Sequence, residues 1–183
     1  MPQSGKVRII GGQWRSRLIT VAHEIGVRPT PNRVRETVFN WLGQTLEDKH
    51  CLDLFAGSGA MGFESASRGA ESVVMVEIRN SVFQALRSMK EKLGATQVKL
   101  IKMDAMEFIR SDQNQYDVIY LDPPFQLNLL PKLLPQLPLR LSKSGIVYLE
   151  SDTPFQPDDS WIVWKRGQAG NVFFQLLKFD GYE

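Results

Sequence analysis

The chain is poor in the side chains that most often carry covalent chemistry. Its 183 residues include one cysteine and two histidines. A single cysteine rules out an internal disulfide, so the fold must rest on its own core. Cys51 lies inside the apolar run Cys51-Leu52-Asp53-Leu54-Phe55, where a small buried residue in a reducing compartment is expected. Neither His23 nor His50 is placed to activate it as a nucleophile, and no metal is expected. No stretch of eighteen apolar residues occurs, which argues against a transmembrane helix. The opening residues Met1 to Lys6 hold no apolar core of a signal peptide, so a cytoplasmic protein is expected. Internal repeats and low-complexity tracts are also lacking.

What remains is ordinary globular composition, 43% apolar and 23% charged. The length suits one domain with a small appendage, able to bury roughly 70% of its unfolded surface. The net charge of +2 conceals an asymmetry. Residues 1–35 carry Lys6, Arg8, Arg15, Arg17, Arg28, Arg33 and Arg35 against Glu24 alone, a local charge of +6 that leaves −4 for the rest. Arginine suits bidentate phosphate contacts and stacking, so the six arginines are candidates for contact with a nucleic acid.

The N-terminal stretch, 1–48, reads as an extension tied to a main domain at 49–183. Val7 to Ile10 and Leu18 to Val21 read as short strands around Gly11-Gly12-Gln13-Trp14. Trp14 suits either RNA stacking or anchorage of this hairpin. Thr30 is a candidate cap, with Pro31 as first residue, for a helix carrying Val34, Val38 and Leu42 at four-residue spacing. From Cys51 strands and helices alternate. Strands are predicted at 51–55, 72–77, 98–102, 117–121 and 146–150, and helices after each of the first three. The leucine-rich segment 127–141, interrupted by three prolines, is expected to pack on the sheet as a helix. Trp161 to Trp164 and Val172 to Phe179 read as an antiparallel pair with 165–171 between them. Such alternation implies right-handed crossovers and a parallel sheet, α/β in class, closed by an antiparallel hairpin.

Asp53-Leu54-Phe55-Ala56-Gly57-Ser58-Gly59 joins the first of these strands to its helix. Glycines there let a ligand approach the backbone. Gly57, Gly59 and Gly62 also match the dinucleotide pattern, so an NAD site is an alternative. Glu77 ends the next strand, where a carboxylate can accept both ribose hydroxyls. Asp104 follows the third, where it can take an adenine amine. Asp53 favours S-adenosylmethionine (SAM), since a carboxylate inside the turn would repel a pyrophosphate and suits a cationic ligand.

After the apolar run 116–121 comes Asp122-Pro123-Pro124-Phe125. The two prolines force the chain out of the sheet in a fixed extended shape. The motif resembles the Asp/Asn-Pro-Pro-aromatic signature of SAM-dependent amino-group methyltransferases. The resemblance implies that Asp122 and the Pro123 carbonyl hold an exocyclic amine, with Pro124 stiffening the turn and Phe125 stacking on an unpaired or flipped base. Phe125 stands where tyrosine is commoner, which keeps the stacking and removes a hydroxyl. It also implies a seven-stranded, Rossmann-like class I fold. In that fold Asp53 lies near the methionine amine, Phe55, Ala56, Gly57, Ser58 and Gly59 line the methionine part, Glu77 holds ribose and Asp104 adenine.

Further segments narrow the resemblance. They are Arg8-Ile9-Ile10-Gly11-Gly12-Gln13-Trp14-Arg15, Arg28-Pro29-Thr30, Arg33 to Leu42 and Ala169-Gly170-Asn171-Val172. Together with the motifs above they are similar to the RsmD-type methyltransferases, which modify guanine N2 in 16S ribosomal RNA. The resemblance implies action on 16S rRNA in an assembled small subunit, with SAM converted to S-adenosylhomocysteine (SAH), and a monomer is expected. Arg8, Arg15, Arg17, Arg28, Arg33 and Arg35 would meet phosphate. The competing expectations are an amino-methyltransferase for another RNA or for DNA, an NAD-dependent oxidoreductase, and a nucleic-acid-binding module on a relic methyltransferase fold.

Overall fold

The computed structural model describes residues 5–24 and 27–181. Its N-terminal hairpin pairs β1 (Lys6–Arg8) antiparallel with β2 (Leu18–Thr20). Helix α1 (Asn32–Leu42) follows, then β3 (His50–Asp53), α2 (Ala60–Ser67), β4 (Ser72–Val76), α3 (Asn80–Leu93), β5 (Val98–Ile101), α4 (Ala105–Ser111) and β6 (Tyr116–Leu121). After the short α5 (Leu130–Leu133) come β7 (Leu141–Ser151), β8 (Trp161–Ala169) and β9 (Val172–Phe179).

The main sheet has seven strands in the order β5-β4-β3-β6-β7-β9-β8. The first five are parallel to one another, and β9 runs antiparallel to both β7 and β8. This is the Rossmann-like α/β arrangement expected. Strand order reverses between β3 and β6, so a crevice opens above the carboxyl ends of those two strands.

Period-two alternation divides the sheet's side chains between two apolar layers. Cys51, Met75, Tyr120 and Tyr148 face a core shared with α1, α2, α3 and the N-terminal hairpin. Leu52, Ile119, Leu121 and Leu149 face the opposite core, closed by α4 and the leucine-rich segment. All eight residues of α2 are buried, because sheet and N-terminal segment cover it from both sides. Burial pushes the Cys51 thiol up to about 12, helped by Asp117, so it is an inert core group.

Three local expectations are corrected. The segment 127–141 is not one helix but α5 with short 3-10 turns around it, because Pro131, Pro135 and Pro138 each remove a donor from a continuous ladder. Residues 165–169 are not a loop: β8 runs on through a bulge to pair Ala169 with Val172, and Gly170, at φ 58°, makes the turn. Thr30 does not cap α1. Pro31 occupies that position, and the Thr30 hydroxyl reaches Glu150 instead.

Candidate active site

The glycine loop is held from both sides by carboxylates. Asp53, 3% exposed, accepts the Gly62 N–H at 3.1 Å, tying the end of β3 to the first turn of α2. Burial raises its carboxyl to about 7, the Gly62 and Phe55 N–H groups oppose that rise, and the charge of Glu77 adds to it. Glu77, just past β4, accepts the Gly57 N–H at 3.1 Å with one oxygen and the Arg79 N–H at 2.9 Å with the other. Gly59 caps α2 in the left-handed region at φ 81°, and a Cβ there would stand 2.6 Å from the Phe63 ring. A Cβ on Gly62 would meet the Met75 sulfur at 2.7 Å, so this glycine serves helix–strand packing. Phe55, Ala56 and Ser58 complete the loop, and the Ser58 hydroxyl accepts the Ala60 N–H at 3.2 Å. Asp104, exposed, caps α4 by accepting the Glu107 N–H at 3.0 Å on one oxygen.

Across the crevice, Asp122 and the buried Pro123 leave the end of β6, Pro124 is exposed, and Phe125, 38% exposed, opens a 3-10 turn. Asp122 is half-buried. Burial first, then the charges of Glu150 and Asp53, hold its carboxyl well above the usual carboxylate range. Glu150, 4% exposed at the end of β7, accepts hydrogen bonds from Thr30 Oγ1 at 3.1 Å and Tyr148 OH at 3.0 Å. Its carboxyl is also raised by burial, against those two bonds. Asp53, Asp122 and Glu150 thus form a row of acids over adjacent strands, with no lysine or arginine among their causes of shift. A row of this sign suits a cationic ligand. Among the described residues no group of three or more metal-ligating side chains occurs.

Residues 7–178 match the family described as Conserved hypothetical protein 95. The Ribosomal RNA small subunit methyltransferase D of Escherichia coli (strain K12) is 37% identical over 181 residues, which are 96% of this chain and 91% of that protein. The chain belongs to the methyltransferase D family. Among solved structures, yhhF of Escherichia coli has a TM-score of 0.86 at 36% identity and covers 96% of this chain and 98% of its own. SMU.776, a structure complexed with SAH, shares the fold at TM-score 0.72 and 16% identity, covering 97% of this chain and 56% of that one.

In this member of the methyltransferase D family the N-terminal motifs are largely internal fittings. Glu64 on α2, fully buried, accepts the Ile10 N–H at 3.0 Å, the Gly11 N–H at 2.9 Å, Arg35 Nη1 at 3.1 Å and Arg68 Nε at 2.9 Å. Ser67 takes the Trp14 N–H at 3.0 Å and donates to the Gly11 carbonyl at 2.6 Å. A Cβ on Gly12 would sit 1.8 Å from the Ser67 carbonyl oxygen, so only glycine fits there. Trp14 is 5% exposed and anchors the hairpin; it is not a stacking platform for RNA.

Arg35 is a correction. Expected at phosphate, it is fully buried between Glu64, the Thr30 carbonyl at 3.2 Å and Asn32. Its short reach into the helix layer leaves nothing for a ligand. The other five arginines are exposed, and the fold separates them. Arg28 and Arg33 flank Thr30, at the catalytic end. Arg17 donates to the Lys92 carbonyl at 3.1 Å, at the last turn of α3. Arg15 lies beside Gly12, against the last turn of α2. A helix of fourteen residues is about 21 Å long, so Arg17 sits at the opposite end of the sheet from Glu77. Arg8 pairs with Leu18 in the hairpin, beside Arg17, and donates to the Ser16 carbonyl at 3.3 Å.

Reading the sequence alone passes over Glu64 and Glu150 and gives Thr30 only a capping role. Only Glu150 has a signal that can be found in advance: it is a carboxylate ending a predicted strand, as Asp53, Glu77, Asp104 and Asp122 are.

Proposed function

We propose that this chain transfers a methyl group from SAM to the exocyclic N2 amine of a guanine in 16S rRNA of the small ribosomal subunit. The observation that carries the reading is the placement of Asp122 to Phe125 at the point of strand-order reversal, beside a glycine loop braced by acids. The family membership and the small-subunit rRNA methyltransferase that is 37% identical support the same substrate class. When bound, SAM supplies an electrophilic methyl group on a cationic sulfur.

The residues then do the following. Asp53 and the backbone of Phe55 to Gly59 receive the methionine part, Glu77 the ribose and Asp104 the adenine. Arg79 fills Oε1 of Glu77 with its backbone N–H and its Nε–H, while Oε2 accepts only the Gly57 N–H and keeps a lone pair that a ribose hydroxyl can join. The guanine N2 lone pair is delocalised into its ring and is a weak nucleophile. Hydrogen bonds from its two N–H groups to Asp122 and the Pro123 carbonyl draw the nitrogen toward tetrahedral geometry. Phe125 stacks on the base, a contact worth about 1–3 kcal/mol. The lone pair is thereby aimed at the methyl group that bound SAM would supply, with the sulfur keeping the C–S electrons as leaving group, and Asp122 would take the surplus proton. Most of the acceleration is orientation.

The division of labour follows the chain: segment 1–48 supplies phosphate contacts through Arg28 and Arg33, and segment 49–183 the chemistry. The enzyme acts in the cytoplasm as a monomer, without a metal, on an assembled small subunit. The test is incubation with isotope-labelled SAM and undermodified small subunits, followed by digestion to nucleosides. Label in N2-methylguanosine of 16S rRNA is the expected result. Label in methyladenosine or methylcytidine would overturn the base, and label only on other RNA or on DNA would overturn the substrate.

A further inference from the structure

Resting on the reading of a guanine substrate, we infer that Glu150 determines the base: its Oε1 accepts the guanine N1–H while Asp122 and the Pro123 carbonyl hold N2. The ladder of β6 and β7 pairs Tyr120 with Tyr148 and Leu121 with Leu149, so Asp122 and Glu150 come next, as neighbours. Parallel strands lie about 4.8 Å apart, and paired residues point to the same face. Leu121 and Leu149 belong to one core layer, Tyr120 and Tyr148 to the other, and the alternation sends both acids to the tyrosine side. Tyr148 confirms this for Glu150, because its hydroxyl reaches the carboxylate two residues on.

Both hydrogen bonds recorded for Glu150, from Thr30 and from Tyr148, fall on Oε2. That oxygen is saturated and the carboxylate is fixed by a strand on one side and the start of α1 on the other. Oε1 belongs to a residue only 4% exposed and is left to a ligand beside Asp122. Holding two acids side by side, with a third at Asp53, is costly unless donors are delivered to them.

Guanine delivers them. Its Watson–Crick edge presents N1–H and N2–H side by side, both donors. Adenine presents an acceptor at N1 and cytosine one at N3, each of which would face a carboxylate lone pair. Uracil has a donor at N3 but no amine to methylate. A pair of carboxylates on adjacent strands therefore accepts guanine and repels the other amine-bearing bases, with no change needed in the motif Asp122 to Phe125. Thr30 is the positioning residue that orients Glu150 from outside the sheet.

The test uses the full chain and small subunits reconstituted with guanine or 2-aminopurine at the methylated position. 2-Aminopurine keeps the C2 amine but has an acceptor at N1. The wild type is expected to favour guanine by about 100-fold or more in kcat/KM, the discrimination of a good paired contact. Glu150→Gln places an amide N–H opposite N1. It should lower kcat/KM on guanine about 100-fold and bring the guanine to 2-aminopurine ratio below about 10-fold, with SAM affinity unchanged. An unchanged ratio in that variant would overturn the inference, whatever happens to its rate. If Glu150→Gln does not fold, Thr30→Val frees Oε2 and carries the same test: the ratio narrows, or the inference fails. A wild type that does not methylate guanine at all removes the underlying reading instead, so the two failures are separable.

Discussion

The molecule buries charge in two places, and the two are built on opposite principles. Around Glu64 the charges are complementary: two arginines and two backbone N–H groups converge on one carboxylate, and every oxygen is used. Around Asp122 the charges are alike: Asp53 and Glu150 stand near it, and every shift attributed to a neighbouring charge on Asp53 and Asp122 is upward. The first cluster is complete in itself and fastens the N-terminal segment to α2. The second is incomplete and becomes favourable only when a cation and hydrogen-bond donors arrive. Saturation marks the glue and frustration marks the site. That lesson holds although Asp53 and Glu150 are almost as buried as Glu64.

The comparison can be broken at either end. The largest effect is expected from Glu64→Ala, which leaves Arg35 as a buried cation without its partner and releases Ile10 and Gly11. Removing one member of a buried pair costs about 3–5 kcal/mol, readable as a shift of the urea midpoint. Asp122→Ala is its mirror image. It should leave the urea midpoint unchanged or raised and retain SAM binding, while single-turnover methyl transfer falls about a thousand-fold. Full activity in that variant would remove Asp122 from the mechanism.

Sharper still is pH. The Asp53 carboxyl is raised to about 7 in the folded chain from an ordinary 3.8. The folded state therefore binds the proton more tightly than the unfolded one. The stability this contributes is full below about pH 4 and is lost as pH rises through 7. Asp53→Asn carries no such dependence, so its urea midpoint relative to wild type should climb between pH 5 and pH 8, by about the full extent of that window. A flat difference would show that the acid is ionised throughout. The smallest effects belong to the surface arginines. Arg28→Ala or Arg33→Ala should each lower the slope of log affinity for the RNA substrate against log salt by about 1. Arg17→Ala, on the last turn of α3, should leave that slope at its wild-type value. Equal losses at both ends would mean that the substrate wraps the whole length of the sheet.

Much of this site is legible in the chain itself. Strands of four to six residues followed by a carboxylate can be read from alternation alone, which is why Asp53, Glu77 and Asp122 lie at or just past strand ends, while Asp104 falls three residues beyond β5 as the cap of α4. The turn at Asp122 is equally local, since Pro123 and Pro124 leave the backbone few alternatives. The charge of the N-terminal segment is misleading when read the same way. Arg33 and Arg35 are two positions apart on one helix, and a rotation of about 200° turns one outward and the other into the core.

Composition and periodicity by themselves determined the α/β class, the parallel series, the strand-end acids and the stiff loop, because each depends on residues a few positions apart. Tertiary structure alone decided that Arg35 faces Glu64, that Arg17 lies away from the crevice, and that Thr30 meets Glu150 across 120 residues of chain. Those contacts depend on strand register and on which element covers which face, and local propensity carries no information about either.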